Sequence, residues 1–156
     1  MCLTLSEWKD IATIAGVIVA LGALIKGVYE YVKQGSQKRA EQFIELRKRL
    51  KANESFSKIL RFLETDSKEL KNISLEEKYE YIGFFEEIAL MVNSGLISPE
   101  IAHYMFSYYA TRCWQSDLFW NDINRDSLYW IVFRKFVEQM KSMEDNFDYN
   151  EKKLKF

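Results

Sequence analysis

The sequence is short of the residues that break helices, cross-link chains and bind metals. It has one proline, Pro99, and six glycines in 156 residues. So few breakers argue against both disorder and a turn-rich β-fold. Histidine occurs once, as His103. Glu100-Ile-Ala-His103 has the Glu-x-x-His spacing of di-iron bundles, but such a site needs a second pair and further glutamates. The two cysteines, Cys2 and Cys113, are too few and too distant for a disulfide framework or a zinc site. They suit a reducing compartment for the folded part of the chain. Charge of one sign is also lacking: the formal net charge is −1, so no global field selects nucleic acid or membrane. No phosphate-cradling glycine loop, paired zinc motif or nucleophile elbow is present. The expectation is a non-enzymatic protein with no catalytic residue, no cofactor and no metal.

What the sequence has in quantity is apolar side chain. The apolar fraction is 48% and the aromatic fraction 15%, ample for a folded core. Residues 11–28 read IATIAGVIVALGALIKGV, without a charge from Ile11 to Ile25. A membrane-spanning helix needs about 20 mostly apolar residues, with a lower limit near 17. Lys26 sits near one end, where its stem can lie along the apolar phase and its ammonium reach the headgroups. Trp8, Tyr29 and Tyr31 flank the run where interfacial aromatics are expected. A signal peptide would start with positive charge, whereas Glu7, Lys9 and Asp10 sum to −1. A soluble core helix would keep a polar face, and this run has none. Lys33, Lys38, Arg39, Arg47 and Lys48 follow the run, against Lys9 alone before it. By the positive-inside rule, the prediction is a single-pass protein of the cell inner membrane with its N-terminus outside and its domain in the cytoplasm.

At 100° per residue, Ala12, Gly16, Ala20, Ala23 and Gly27 share one narrow stripe, with Ile14, Leu21, Ile25 and Val28 opposite. Small residues at this spacing let membrane helices approach closely. The stripe predicts a homo-oligomer or docking on another membrane protein.

The remainder predicts an all-α cytoplasmic bundle. The division is residues 1–34 for the membrane helix and its flanks, 35–146 for the helical domain and 147–156 for a polar tail. Phe43, Leu46 and Leu50 recur at helical spacing, and Phe56, Ile59, Leu60 and Leu63 continue the stripe past a break near Asn53-Glu-Ser55. Gly35-Ser36 is a candidate hinge. Ser74-Leu-Glu-Glu77 is a capping-box pattern opening a helix with Tyr79, Ile82, Phe85, Ala89 and Val92 on one stripe. Phe84, Ile88 and Met91 widen it, which suggests a central helix. Asn93-Ser-Gly95 ends it, and Ser98-Pro99 starts the next helix. Residues 119–124 suggest a turn or a short helix. Asp126 or Ser127 caps a last helix with the stripe Leu128, Val132, Phe136 and Met140.

Charge divides along the chain. Residues 33–71 hold eleven Lys or Arg against six Asp or Glu, and residues 72–150 hold six against thirteen. The basic part adjoins the membrane run, so membrane lipid is an expected partner. Because Glu41, Glu45 and Glu54 are mixed among the cations, a solvated helix face is the favoured reading of it. Nucleic acid is an unlikely partner for so acidic a domain. Glu86-Glu87 follows two phenylalanines, so one of the two carboxylates is expected to turn inward and to need a partner, which Arg112, Arg125 or Arg134 could supply. A structural ion pair of Glu86 with Arg112 is the expectation. Tyr104, Tyr108, Trp114 and Trp120 belong to a dense aromatic cluster and are candidates for a surface that binds a cytoplasmic protein partner. His103 is expected on a helix surface. An alternative places a small enzyme or ligand-sensing site near Glu86, His103 and Arg112.

Residues 84–114, FFEEIALMVNSGLISPEIAHYMFSYYATRCW, carry a resemblance. Phe84-Phe85-Glu86, the Gly95-Leu96-Ile97 turn and Trp114 resemble the core of a bacterial family of short membrane-anchored helical proteins classed as a domain of unknown function. The resemblance implies a membrane helix followed by a cytoplasmic helical domain. A looser likeness to accessory components of antiphage systems implies an antiviral-defence role, as an interaction protein or an effector that disturbs the bilayer.

Overall fold

The structure, a computed structural model, describes the backbone of residues 5–144 and the side chains of residue 9 and residues 13–144. Among the described residues every regular element is a helix. The chain divides into two compact units, Met1–Ala40 and Glu41–Phe156. The predicted tail over 147–156 lies outside the described residues.

The first helix, α1, spans Leu5–Ala52. It is unbroken at Gly35 and Ser36, so the expected hinge does not form there. One glycine costs a helix only about 1 kcal/mol, which its neighbours offset. From Thr13 the helix is long and apolar enough to cross a membrane by length and composition.

In the second unit, Asn53 ends α1 and caps α2, Glu54–Glu64, by accepting the Phe56 amide at 3.1 Å. A 3-10 turn over Lys68–Asn72 follows and buries Leu70; the sequence pattern did not signal it. Helix α3, Leu75–Asn93, opens on the predicted capping box. Ser74 accepts from the Glu77 amide at 3.2 Å, and Glu77 accepts from the Ser74 amide at 3.1 Å. It closes on Gly95, whose φ of 71° suits glycine. The Leu96 amide reaches back to the Met91 carbonyl at 2.9 Å and the Gly95 amide to that of Val92 at 3.0 Å, a Schellman closure. Ser98 caps α4, Pro99–Gln115, with Pro99 in its first turn. Turns over 117–122 lead to a 3-10 turn, Leu128–Trp130, capped by Ser127, and then to α5, Ile131–Glu144.

Helix α3 is central: it packs against α2, α4 and α5, and α4 also packs against α5. Its buried face carries Tyr81, Ile82, Phe84, Phe85, Ile88, Ala89 and Val92. The end of α1 contributes Phe43, Leu46 and Leu50, and α2 contributes Phe56, Ile59 and Leu63. Leu128 departs from expectation. It is 79% exposed, and the buried stripe of α5 begins at Phe133 and runs through Phe136, Val137 and Met140. The 3-10 turn has three residues per turn, so it sends Leu128 off the phase of the α-helix that follows.

Candidate functional site

Two features outside the core bear on function. The first is the apolar part of α1. Every residue over 13–34 is exposed, including Ile14, Val17, Ile18, Val19, Leu21, Leu24, Ile25 and Val28. A Cβ built at Gly16, Gly22 or Gly27 would meet nothing within 4 Å. The stripe of Gly16, Ala20, Ala23 and Gly27 is therefore open to a close neighbour. The side chain of Ala12 lies outside the described residues. Tyr29 and Tyr31 are exposed where the apolar run gives way to charge.

The second is a groove of about 420 Å³ along α4. Tyr104, Tyr108 and Arg112 form one ridge at intervals of four residues, and His103, Ser107 and Thr111 a second beside it; Glu144 of α5 stands at the margin. The rings of Tyr104 and Tyr108 are 58% and 56% exposed. His103 is buried rather than on the helix surface, because its face of α4 turns toward the end of α5. Burial pulls its pKa below the ordinary histidine value, and the Glu144 carboxylate acts in the opposite direction. The groove brings His103 and Arg112 together and leaves Glu86 outside its lining. Among the described residues no group of three His, Cys, Asp or Glu side chains is placed to hold a metal ion.

Of the proposed surface aromatics, Trp120 is a core residue and Trp114 is partly buried against the core. Trp120 is 5% exposed and donates its indole N–H to the Cys113 carbonyl at 2.9 Å. Trp114 stacks edge-on against Trp120 and Phe133 at 5.5 and 5.9 Å between centroids, with the Arg125 guanidinium over its ring. Burial keeps the Trp120 indole off the surface, while Trp114 stays partly accessible.

The expected Glu86–Arg112 pair is absent. Arg112 donates to the carbonyl of Glu64, at the end of α2, at 3.0 Å. Glu86 turns partly inward: its Oε1 is buried without a hydrogen-bond partner, and its carboxylate feels the Phe133 amide in the first turn of α5. The first amides of a helix lack intrahelical acceptors, and a carboxylate from a neighbouring helix supplies one. Glu87 instead pairs with Arg49 at 2.7 Å on the surface.

Burial raises the Glu86 pKa above the ordinary carboxylate value, against the opposing pull of the Phe133 hydrogen bond. A raised carboxyl pKa means that its contribution to stability is full below the unfolded value and is lost as pH rises through the folded one. Glu86→Gln keeps an oxygen for the Phe133 amide and removes the charge. It is expected to match or exceed the wild-type Tm at pH 7 and to flatten the Tm–pH profile above pH 4.5. Thermal unfolding across that range checks it; a large loss of Tm at pH 7 would contradict this placement of Glu86.

Sequence patterning missed Lys78 and Tyr81. Both side chains are fully buried. The Lys78 ammonium lies 3.9 Å from the Asp122 carboxylate and over the Phe119 ring, and burial lowers its pKa while Asp122 opposes the shift. The signal was present: Lys78, Tyr81 and Phe85 recur at three and four residues on one face. A lysine in that register is normally read as solvated, because unpaired burial is costly.

Compared with protein-family models, curated proteins and solved structures, the chain matches none.

Proposed function

We propose that this is a single-pass, membrane-anchored helical protein without catalytic activity, which works by bringing copies of itself, or partner proteins, together at a bilayer. The observation that carries the reading is the exposure of the apolar part of α1 on all sides. Eight Val, Leu or Ile side chains there would cost on the order of 10 kcal/mol or more left in water, at about 1.5–3 kcal/mol each for full burial. A helix apolar all round belongs in lipid or in a protein interior, and no described side chain over 13–34 is buried. At 1.5 Å per residue, the 18 residues of 11–28 cover about 27 Å, close to a hydrocarbon core of about 30 Å. Tyr29 and Tyr31 then lie at one interface. The cations that follow the run orient the bundle toward the cytoplasm of the cell inner membrane.

The open stripe of small residues supports self-association within the bilayer, because lipid supplies no hydrophobic drive between helices and close backbone packing must provide the attraction. In the antiviral-defence reading, clustering of these helices is the effector step that disturbs the bilayer. Replacing Gly16 and Ala20 with leucine is expected to abolish cross-linked dimers in membranes while leaving membrane localisation intact. Undiminished cross-linking would remove the stripe from the mechanism.

A ligand-sensing alternative draws on the α4 groove, which His103 and Arg112 both line. Its enzymatic form would have to work without Glu86 in the groove, since Glu86 is not among the residues that line it.

A further inference from the structure

The second unit carries two exposed faces of opposite charge, each centred on apolar side chains that its own core leaves uncovered. The first is on the end of α1. Ile44 is 62% exposed, and Arg47, Lys48 and Lys51 fall within about 60° of it around the helix at 100° per residue, with Glu41 at the edge of the same arc, all exposed. Lys51 shares a surface depression with Lys58 and Arg61 of α2 and with the carboxylates of Glu54 and Glu77, so cations outnumber carboxylates there by one.

The second face joins the start of α3 to the 3-10 turn before α5. Leu75 and Tyr79 are exposed one helical turn apart, and Tyr79 contacts the Trp130 ring at 5.4 Å between centroids. That contact brings in Leu128 and Tyr129, which project almost fully from the same 3-10 turn. Exposed carboxylates flank this strip on both sides: Glu76 and Glu80 on the next face of α3, and Asp122 and Asp126 on the turn side. Lys78, the cation within this stretch of α3, is buried and spent on Asp122. A contiguous apolar patch with a polar rim marks an association surface. An acidic rim disfavours an anionic lipid surface and selects a basic partner with an apolar centre.

We infer that the basic Ile44 face of one copy docks on the acid-rimmed Leu75/Tyr79/Leu128/Tyr129 patch of the next. Ile44 enters among the exposed apolar side chains, while Arg47, Lys48 and Lys51 meet the carboxylates on either side. The two faces differ, so the contact is head-to-tail and propagates into a ring or an open chain rather than closing as a pair. It goes beyond the membrane-helix association proposed above and does not depend on it: the residues involved all lie in the second unit. A bilayer that holds copies in one plane raises their effective concentration and favours it.

The test is chemical cross-linking of the full-length protein in membranes, at low salt, with products sized on a gel. The wild type is expected to give a ladder beyond the dimer. Arg47→Glu with Lys48→Glu, and separately Glu76→Lys with Glu80→Lys, should each reduce species above the dimer at least tenfold. Combining all four substitutions in one chain, or mixing the two double variants, should restore the ladder, because the reversed faces are again complementary. Raising salt should weaken the wild-type ladder, as exposed charge contacts are screened within about 10 Å at 0.1 M. An unchanged ladder in either double variant overturns the proposal. So does failure of both the four-fold variant and the mixture to recover it when circular dichroism shows native helix content. On the Gly16→Leu/Ala20→Leu background the charge variants read this contact alone, so its failure and that of the membrane-helix stripe are told apart.

Discussion

Phe85→Ala is expected to destabilise the bundle by about 3–5 kcal/mol, the usual cost of emptying a buried phenylalanine site. Phe85 is fully buried on the inward face of α3. Its ring meets Tyr81 at 5.1 Å, Phe84 at 5.3 Å and Phe133 at 5.8 Å, so one side chain ties the central helix to α5 and to its own neighbours. The surroundings do not collapse to refill the space, because these partners are rigid rings and α3 is held on several sides. A domain of ordinary stability has only about 5–15 kcal/mol in total, so the variant loses a large share of its margin. Urea unfolding followed by tryptophan fluorescence measures it. Tyr129→Ala is the control: that ring is 86% exposed, and the change should fall within about 0.5 kcal/mol. Equal effects of the two substitutions would mean that the packing around α3 is misassigned.

Val19→Arg combined with Leu21→Arg should prevent membrane insertion. Both side chains are exposed in the middle of the apolar run. An arginine at the centre of a spanning helix costs about 2.5–3.5 kcal/mol on insertion scales, so the pair costs about 5–7 kcal/mol. The choice of these positions separates two environments. In lipid the substitutions are prohibitive; on a helix in water they would remove exposed apolar surface and improve solubility. Fractionation of the variant is expected to move it from the membrane pellet to the supernatant or to degradation. Retention of wild-type amounts in the membrane would count against insertion of this segment.

Much of the helical layout was legible because its punctuation is local. Asn53, Ser74, Ser98 and Gly95 act through hydrogen bonds to amides or carbonyls a few residues away, and the structure uses each of them at a helix boundary. The apolar stripe from Phe43 to Leu63 was equally plain, since exposure on an amphipathic helix follows its period. The candidate site was less legible because its contacts are long-range. Nothing near Glu86 in sequence says that its carboxylate meets the start of α5, or that Arg112 reaches the end of α2, 48 residues earlier. Trp120 is polar at one edge and dense in aromatic neighbours, a combination found both at interfaces and in cores. Only the approach of its indole N–H to Cys113 decides for the core. Leu128 misled because the period changes from 3.6 to 3.0 at a turn that no residue type announces.

The account rests most heavily on where the apolar part of α1 resides. Its most direct test is extraction of membranes holding the full-length protein with alkaline carbonate, followed by detergent. A spanning helix predicts that the protein stays in the carbonate-washed pellet and is released only by detergent. Release into the carbonate supernatant as a folded, soluble protein would contradict it.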